Sequence, residues 1–452
     1  MKNSMIQRAA ALMLVSSLLL SLAACGSSQP AATDVPGTSS ETTAPAVQPF
    51  NPGIIGKAQA ADLMESFTAE SVPERAADEA FRENMLRFTA EIFNQIYSRN
   101  TKDKTTLISP LSILTALAMT ANGAREETLA EMQRVLCGTE LTLEDLNAYL
   151  HTYLNALPSS EKASFAFANS IWFKDMEGFT VERDFLQKNV NYYGAGIFKA
   201  PFDQNTVRDI NQWVAANTHD MIPSLLDRLE EDARMVLINA LVFEAKWDIP
   251  FDSENSIHPG IFTGLSGQTK IVDLMYAQER IYLSDKTCQG FMKSYAGGNY
   301  RFVALLPNEG VDFNEFVLSL NAEKLSGLLN PQYGKVNIRM PKFSYDYDQS
   351  LVEMLEALGM KQAFTDAAQF EGIGNSRNRG LKISDVLHKT HIDVDNEGTK
   401  AAAVTAVLVS EATAISRPEE IHQVYLDRPF VYMIIDTANN LPLFIGTVTE
   451  LD

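Results

Sequence analysis

The run Asn396-Glu397-Gly398-Thr399-Lys400-Ala401-Ala402-Ala403-Val404-Thr405-Ala406-Val407 is composed to change place rather than to break bonds. Strand side chains alternate faces, so a strand that pivots at Gly398 puts Thr399, Ala401, Ala403, Thr405, Val407 and Val409 on one side. None of these is charged or large, so the whole face can be buried at once. Lys400, Ala402, Val404, Ala406, Leu408 and Ser410 take the other face, and residues 410–420 then turn polar and loop-like. A segment that suits both an exposed loop and a buried strand is a candidate conformational switch. Bond chemistry finds no comparable arrangement. Gly-x-Ser-x-Gly, His-Glu-x-x-His, Cys-x-x-Cys and phosphate-loop patterns are absent, and Gly372-Ile373-Gly374 lacks the third glycine of a dinucleotide loop. The six histidines are scattered. His388 and His391 lie three apart, which a strand turns to opposite faces, so they do not form a metal pair. The expectation is a protein that is not an enzyme, with no metal and no cofactor.

Such a switch needs a large body around it. The chain has 452 residues, of which 46% are hydrophobic, enough for a sizeable core. A formal charge of −20 argues against nucleic acid or anionic lipid as a partner. Phe81, Met85, Phe88, Ile92 and Ile96 recur at helical spacing, so a helix opens the domain. Helical patterns follow through Leu117 and Met119, and again from Thr128 to Leu136. Residues 166–173 read as a strand and residues 207–218 as a helix. Residues 236–243 are almost continuously apolar, which predicts a central strand buried on both faces. Residues 301–306 and 336–343 read as further strands, and residues 351–358 as a helix stopped by Gly359. Residues 429–435 and 441–448 read as a hairpin. Helices first and strands later, interleaved in the middle, predict an α+β domain.

The start of the chain reads as an export signal. Lys2 and Arg8 precede an apolar stretch, residues 9–22, too short to span a membrane comfortably. Leu22-Ala23-Ala24-Cys25 resembles the lipobox of bacterial lipoproteins. That resemblance implies removal of residues 1–24 as a signal peptide and lipidation of the Cys25 thiol. Residues 25–60, rich in Ser, Thr, Pro and Ala, read as a flexible tether, and residues 61–452 as the folded domain. The expected location is extracytoplasmic, lipid-anchored to the cell membrane or surface, or shed from it. The lipid is then the only membrane contact. Cys137 and Cys288 remain in the folded part, able to pair or to stay free as small core residues.

Several separated motifs occur in one order. They are Ser109-Pro110-Leu111-Ser112-Ile113, Ala168-Asn169-Ser170-Ile171-Trp172, and Asn239-Ala240 with Lys246-Trp247 and Pro250-Phe251. Met340-Pro341-Lys342-Phe343, Leu358-Gly359-Met360 and Ile383-Ser384-Asp385-Val386-Leu387-His388-Lys389 follow, with Arg428-Pro429-Phe430 and Pro442-Leu443-Phe444-Ile445-Gly446 closing the chain. Together with the run at Gly398, this series resembles the serpins, the serine protease inhibitors that trap proteases by inserting a cleaved loop into a sheet. The resemblance implies about nine helices and three β-sheets: a main five-stranded sheet that can admit a sixth strand, two smaller sheets, and an exposed reactive-centre loop over about residues 396–424. It implies a hinge at Glu397, Gly398, Thr399, Lys400, Ala401, Ala402, Ala403, Val404 and Thr405. It also implies a polar cluster where the sheet opens, at Ser109, Ser112, Asn239 and His388, with Trp247 packed where insertion begins.

The activity so implied is suicide inhibition. A target serine protease acylates itself on the loop, and the freed loop inserts and traps the covalent complex. From Thr399 to Ala412 the inserted strand spans roughly 43 Å at ~3.3 Å per residue. Family spacing from Gly398 puts the scissile bond at Ala412-Thr413, which suits an elastase-like or subtilisin-like target; Glu411-Ala412 is the alternative and suits a glutamate-specific one. Arg417-Pro418 is a poor site because proline follows the cut. Asn396 stands where the family usually has a glutamate that braces the hinge, and Lys400 where an acidic residue is common. A monomer is expected. The other reading is a non-inhibitory surface lipoprotein of the same fold that binds a ligand or partner.

Overall fold

A computed structural model describes residues 60–100, 104–252, 254–375, 380–399 and 420–451. The lipidation residue Cys25, residues 1–59, the hinge from Lys400 to Thr405 and the bond at Glu411, Ala412 and Thr413 lie outside the described residues. Among the described residues there are nine α-helices and three sheets, an α+β arrangement.

The opening helix is Glu79–Arg99, capped by the Asp78 carboxylate, which accepts from the Phe81 N–H at 3.1 Å. Its expected apolar stripe is buried as one face. The next helix, Pro110–Ala121, is buried along its whole length. Its Ser109 cap and first-position proline fix where it starts.

One sheet has seven strands. Across it run Ala61–Asp62, Gly196–Ala200, Ala163–Lys174, Met235–Lys246, Gly398–Thr399, Asp385–Val394 and Phe343–Ser350. Five of these are longer strands, and two have only two residues. Met235–Lys246 is the predicted two-sided strand. Met235, Leu237, Leu241, Phe243 and Ala245 face the main core. Val236, Ile238, Ala240 and Val242 face a second core with Trp172, Trp213 and the helix Gln204–Asn217. The fold therefore has apolar layers on both sides of this strand, which is why its sequence shows no alternation of apolar with polar.

The second sheet has nine strands among the described residues, so it is not smaller than the first as the resemblance implies. Its backbone is the long strand Thr269–Ser284, paired with Gln332–Pro341 on one side and Cys288–Ser294 on the other. The hairpin of Phe430–Asp436 and Leu441–Val448 lies in this sheet, as read. The third sheet is a two-stranded pair, Gly374–Asn375 with Thr180–Val181.

One sequence reading is corrected. Residues 336–343 are not one strand. Gln332–Pro341 belongs to the nine-stranded sheet and Phe343–Ser350 to the edge of the seven-stranded one, with Lys342 crossing between them. The buried positions Val336, Ile338 and Met340 are even-numbered, Pro341 is buried beside them, and burial resumes on the odd-numbered Phe343. That one-residue phase slip is the mark of the change of sheet. Cys137 and Cys288 are both free and buried, and desolvation pushes each thiol up to about 12.

Candidate functional site

The site is the seam between Met235–Lys246 and Asp385–Val394. Lower down, the two strands pair directly and in parallel, from Asp385 opposite Val236 to Thr390 opposite Leu241. Higher up they part to admit Gly398–Thr399. Thr399 sits opposite Ala245 on one side and Val394 on the other, and Gly398 sits opposite Lys246. The seam is thus closed below and wedged above.

Its closed part carries the polar cluster expected from the resemblance. Ser109, Ser112, Asn239 and His388 are brought together and are at most 1% exposed. Register explains the meeting: Asn169, Asn239 and His388 stand directly opposite one another on three neighbouring strands. All three face the start of the helix Pro110–Ala121, whose cap Ser109 and first-turn Ser112 supply the two serines.

The hydrogen bonds run in one direction through the cluster. The Ser109 N–H donates to His388 Nε2 at 3.2 Å, so Nε2 is the acceptor nitrogen. His388 Nδ1 therefore carries the proton and donates to Asn239 Oδ1 across the seam. Asn239 Nδ2 donates to Ser112 Oγ at 2.7 Å and to Asn169 Oδ1 at 3.0 Å. The Ser112 hydroxyl donates onward to Asn169 Oδ1 at 3.0 Å. Burial holds the His388 imidazole neutral, with its pKa lowered to about 3. Asn169 is a full member, although its sequence motif alone does not assign it to the cluster. Paired buried amides and hydroxyls of this kind each contribute about 0.5–1.5 kcal/mol, and parting the strands breaks those that cross the seam.

The wedged part is built around Trp247, which is 2% exposed. Its indole N–H donates to the Asp395 carbonyl at 2.9 Å, and its backbone N–H donates to the Glu397 carbonyl at 2.9 Å. The Phe251 N–H donates to the Asn396 carbonyl at 2.9 Å. The Asp395 carboxylate accepts from the N–H groups of Glu397 at 2.7 Å and Gly398 at 3.0 Å, closing a tight turn. Asn396 thus takes part through its backbone, so the missing family glutamate leaves these contacts intact. Beneath the indole lies Lys293, only 2% exposed, which donates to Glu279 and to the Ile249 carbonyl, both at 2.8 Å. Its ammonium also lies 4.5 Å from the centre of the Phe251 ring.

Glycine is required at 398. A Cβ there would lie 2.1 Å from the Ala245 carbonyl oxygen, because the backbone runs close against the strand Met235–Lys246. Thr399 is 2% exposed, so the first side chain of the predicted inward face is buried. His388 and His391 do face opposite ways. His388 is in the cluster, whereas His391 Nδ1 meets Asp346 at 2.9 Å on the outer side. Nothing in the sequence singles out Tyr295. It stacks on Trp247 with ring centres 4.5 Å apart, and its hydroxyl meets Thr399 Oγ1 at 2.6 Å.

A sheet with a wedged seam, a polar clasp below it and a glycine pivot above it defines the class. The family model of Serpin (serine protease inhibitor) matches residues 83–451. The chain belongs to the serpin family. It is 31% identical over 366 residues to an uncharacterized serpin-like protein of Thermococcus kodakarensis, covering 79% of this chain and 83% of that one. It is 31% identical over 374 residues to a serine protease inhibitor of Rattus norvegicus, covering 80% of this chain and 87% of that one. Among solved structures it resembles the thermophilic serpin tengpin in the native state, at 44% identity and a TM-score of 0.82, covering 87% of this chain and all of that one.

Proposed function

We propose that this chain is a suicide-substrate inhibitor of a serine protease outside the cytoplasm. The protease's serine oxygen attacks the carbonyl carbon of Ala412. The bond to Thr413 breaks, the Thr413 amine leaves with a proton, and an ester joins the two proteins. The segment beyond Thr399 then enters the seam as a strand before water hydrolyses that ester. The inhibitor supplies no catalytic group; the chemistry is the protease's own. A small residue at Ala412 suits the shallow apolar pocket of an elastase-like or subtilisin-like enzyme. The molecule acts as a monomer, held to the membrane by lipid on Cys25 and the tether that follows.

The observation that supports this reading most is the seating of Gly398 and Thr399 between Met235–Lys246 and Asp385–Val394, above a seam closed by exchangeable hydrogen bonds. The non-inhibitory reading draws on a likeness to thyroxine-binding globulin complexed with thyroxine, which at 23% identity is a likeness of fold alone.

The test is to mix the domain with pancreatic or neutrophil elastase and run denaturing electrophoresis. A band at the summed mass with a new N-terminus at Thr413 is the expected result. Clean cleavage without that band contradicts inhibition of these enzymes, and a new N-terminus at Ala412 moves the cut to Glu411. Ala412→Arg should add trypsin inhibition, raising the rate by on the order of 100-fold or more, since a pocket built for a charged group discriminates strongly. No gain with trypsin contradicts the assigned bond.

A further inference from the structure

At the foot of the seam a buried cation reaches from one side to the other. Arg234 directly precedes the strand Met235–Lys246, and its side chain is only 10% exposed. Its carbonyl accepts from the Lys174 N–H at 2.9 Å, which ties it to the strand Ala163–Lys174. Its N–H donates to Ser384 Oγ at 2.8 Å, and its Nη1 donates to the Gly380 carbonyl at 2.5 Å. Its Nη2 lies 3.0 Å from Asp366 Oδ1. These last three partners belong to the far side, where Ser384 leads into the strand Asp385–Val394. Lys382 stands there too, with Nζ 3.4 Å from the same Asp366 oxygen. Lys382 first and Arg234 second hold the largely exposed Asp366 carboxyl below its usual range.

A strand that enters the seam along its whole length moves the two sides from one strand spacing to two, from about 4.8 Å to about 9.6 Å. Arg234 then parts from Asp366, Gly380 and Ser384 together. A buried guanidinium left unpaired is costly, so the incoming strand has to bring a replacement. The register names it. Gly398 lies opposite Lys246 and Thr399 opposite Ala245. Continued without a slip, that antiparallel register brings Ser410 opposite Arg234, with Glu411 one place beyond. The loop thus delivers a hydroxyl and a carboxylate, the two side-chain groups that Arg234 gives up in Ser384 and Asp366. From Lys400 to Ser416, Glu411 is the only acidic residue.

We propose that Arg234, flanked by Lys382, is the receiving site for the Glu411 carboxylate at the end of the inserted strand, and that Asp366 holds the place in the uncut molecule. The inference rests on the inhibitory reading and adds to it the point where the strand is fastened. The exchange of partners comes last in the insertion. It secures the end that carries Ala412 and, through the ester there, the protease.

The test uses the full-length parent, Glu411→Gln, Glu411→Lys, Arg234→Gln and the double variant of Arg234→Gln with Glu411→Gln. Each is melted before and after a single cut by elastase, and mass spectrometry places the cut. Before the cut, both Glu411 variants should melt with the parent. After it, Glu411→Gln should melt about 2–4 °C below the cut parent, and Glu411→Lys lower still, because it sets like charges together. In the double variant the change at 411 should cost the cut chain nothing beyond Arg234→Gln alone. Should Arg234→Gln fail to fold, the two loop variants decide. A cut Glu411→Gln chain that melts with the cut parent, a Glu411→Lys chain no worse than Glu411→Gln, or a full further loss in the double variant overturns the proposal. So does a cut before Glu411, which leaves the carboxylate off the inserted strand. If the cut parent melts no higher than the uncut one, the inhibitory reading itself fails. A rise that both Glu411 variants share in full keeps that reading and removes the receiving site.

Discussion

Thr399→Arg is expected to abolish covalent trapping and leave a chain that elastase simply cuts. Position 399 is at the head of the inserting strand and is 2% exposed in the uncut molecule. It lies between Ala245 and Val394, with Tyr295 above it. A guanidinium there would have to leave water, and removing it from solvent costs several kcal/mol. The hinge must then leave the seam or stay out of it. Trapping is a race, so a barrier raised by about 3 kcal/mol slows insertion by roughly 100-fold and lets hydrolysis win. The readout is the share of protease in the covalent band. Complexes formed at the parental rate would show that strand entry at Thr399 is not what stops the protease.

Acidification should loosen the same seam through His388. An unfolded imidazole takes up a proton below about pH 6.5, whereas the buried one does so only near 3. Between those values the unfolded chain binds more protons. Stability from this group is therefore complete above about 6.5 and falls as the pH drops toward 3, by about 1.4 kcal/mol per pH unit. From pH 7 to pH 4.5 the loss is on the order of 2–3 kcal/mol. His388 bridges the two strands that must part, so the weakened state is one with the cluster broken. Urea unfolding at both pH values measures it. In His388→Gln, which cannot titrate, the drop between the two should shrink by that amount. An equal drop in parent and variant would mean that His388 is not the group being protonated.

Much of this site is readable because its residues lie in motifs that match the serpin family. The matching motifs imply a polar cluster at Ser109, Ser112, Asn239 and His388, and all four meet where burial needs hydrogen bonds. Gly398 is readable as the pivot of an alternating run of small residues, and a Cβ there would strike the backbone of the neighbouring strand. Asn169 is harder to place, since membership depends on its register opposite Asn239 across two strands distant in sequence. Tyr295 gives no signal at all. An aromatic residue beside a strand reads as core, and its role comes from a hydroxyl meeting a threonine more than a hundred positions away. The helix Leu143–Ala156 was missed although Thr142 and Asp145 form a capping box. The strands Ile257–Thr263 and Thr269–Ser284 were missed as well, because several of their residues are exposed and the apolar alternation is weak. The crossing at Lys342 is hidden because apolar residues recur at Val336, Ile338, Met340 and Phe343, so the stretch reads as one run and only the phase changes.

The most direct test of the account is the melting temperature before and after a single cut in the loop. An inserted strand of about 13 residues at ~3.3 Å each gains ladder hydrogen bonds on both sides. At about 0.5–1.5 kcal/mol per bond the gain is on the order of 10 kcal/mol, which for a domain of this size raises the midpoint by more than about 10 °C. Limited cleavage with elastase followed by calorimetry reads it without depending on any complex. A rise of that size is the predicted result. A cut chain that melts at the same temperature as the intact one, or below it, would contradict loop insertion and with it the proposed mechanism.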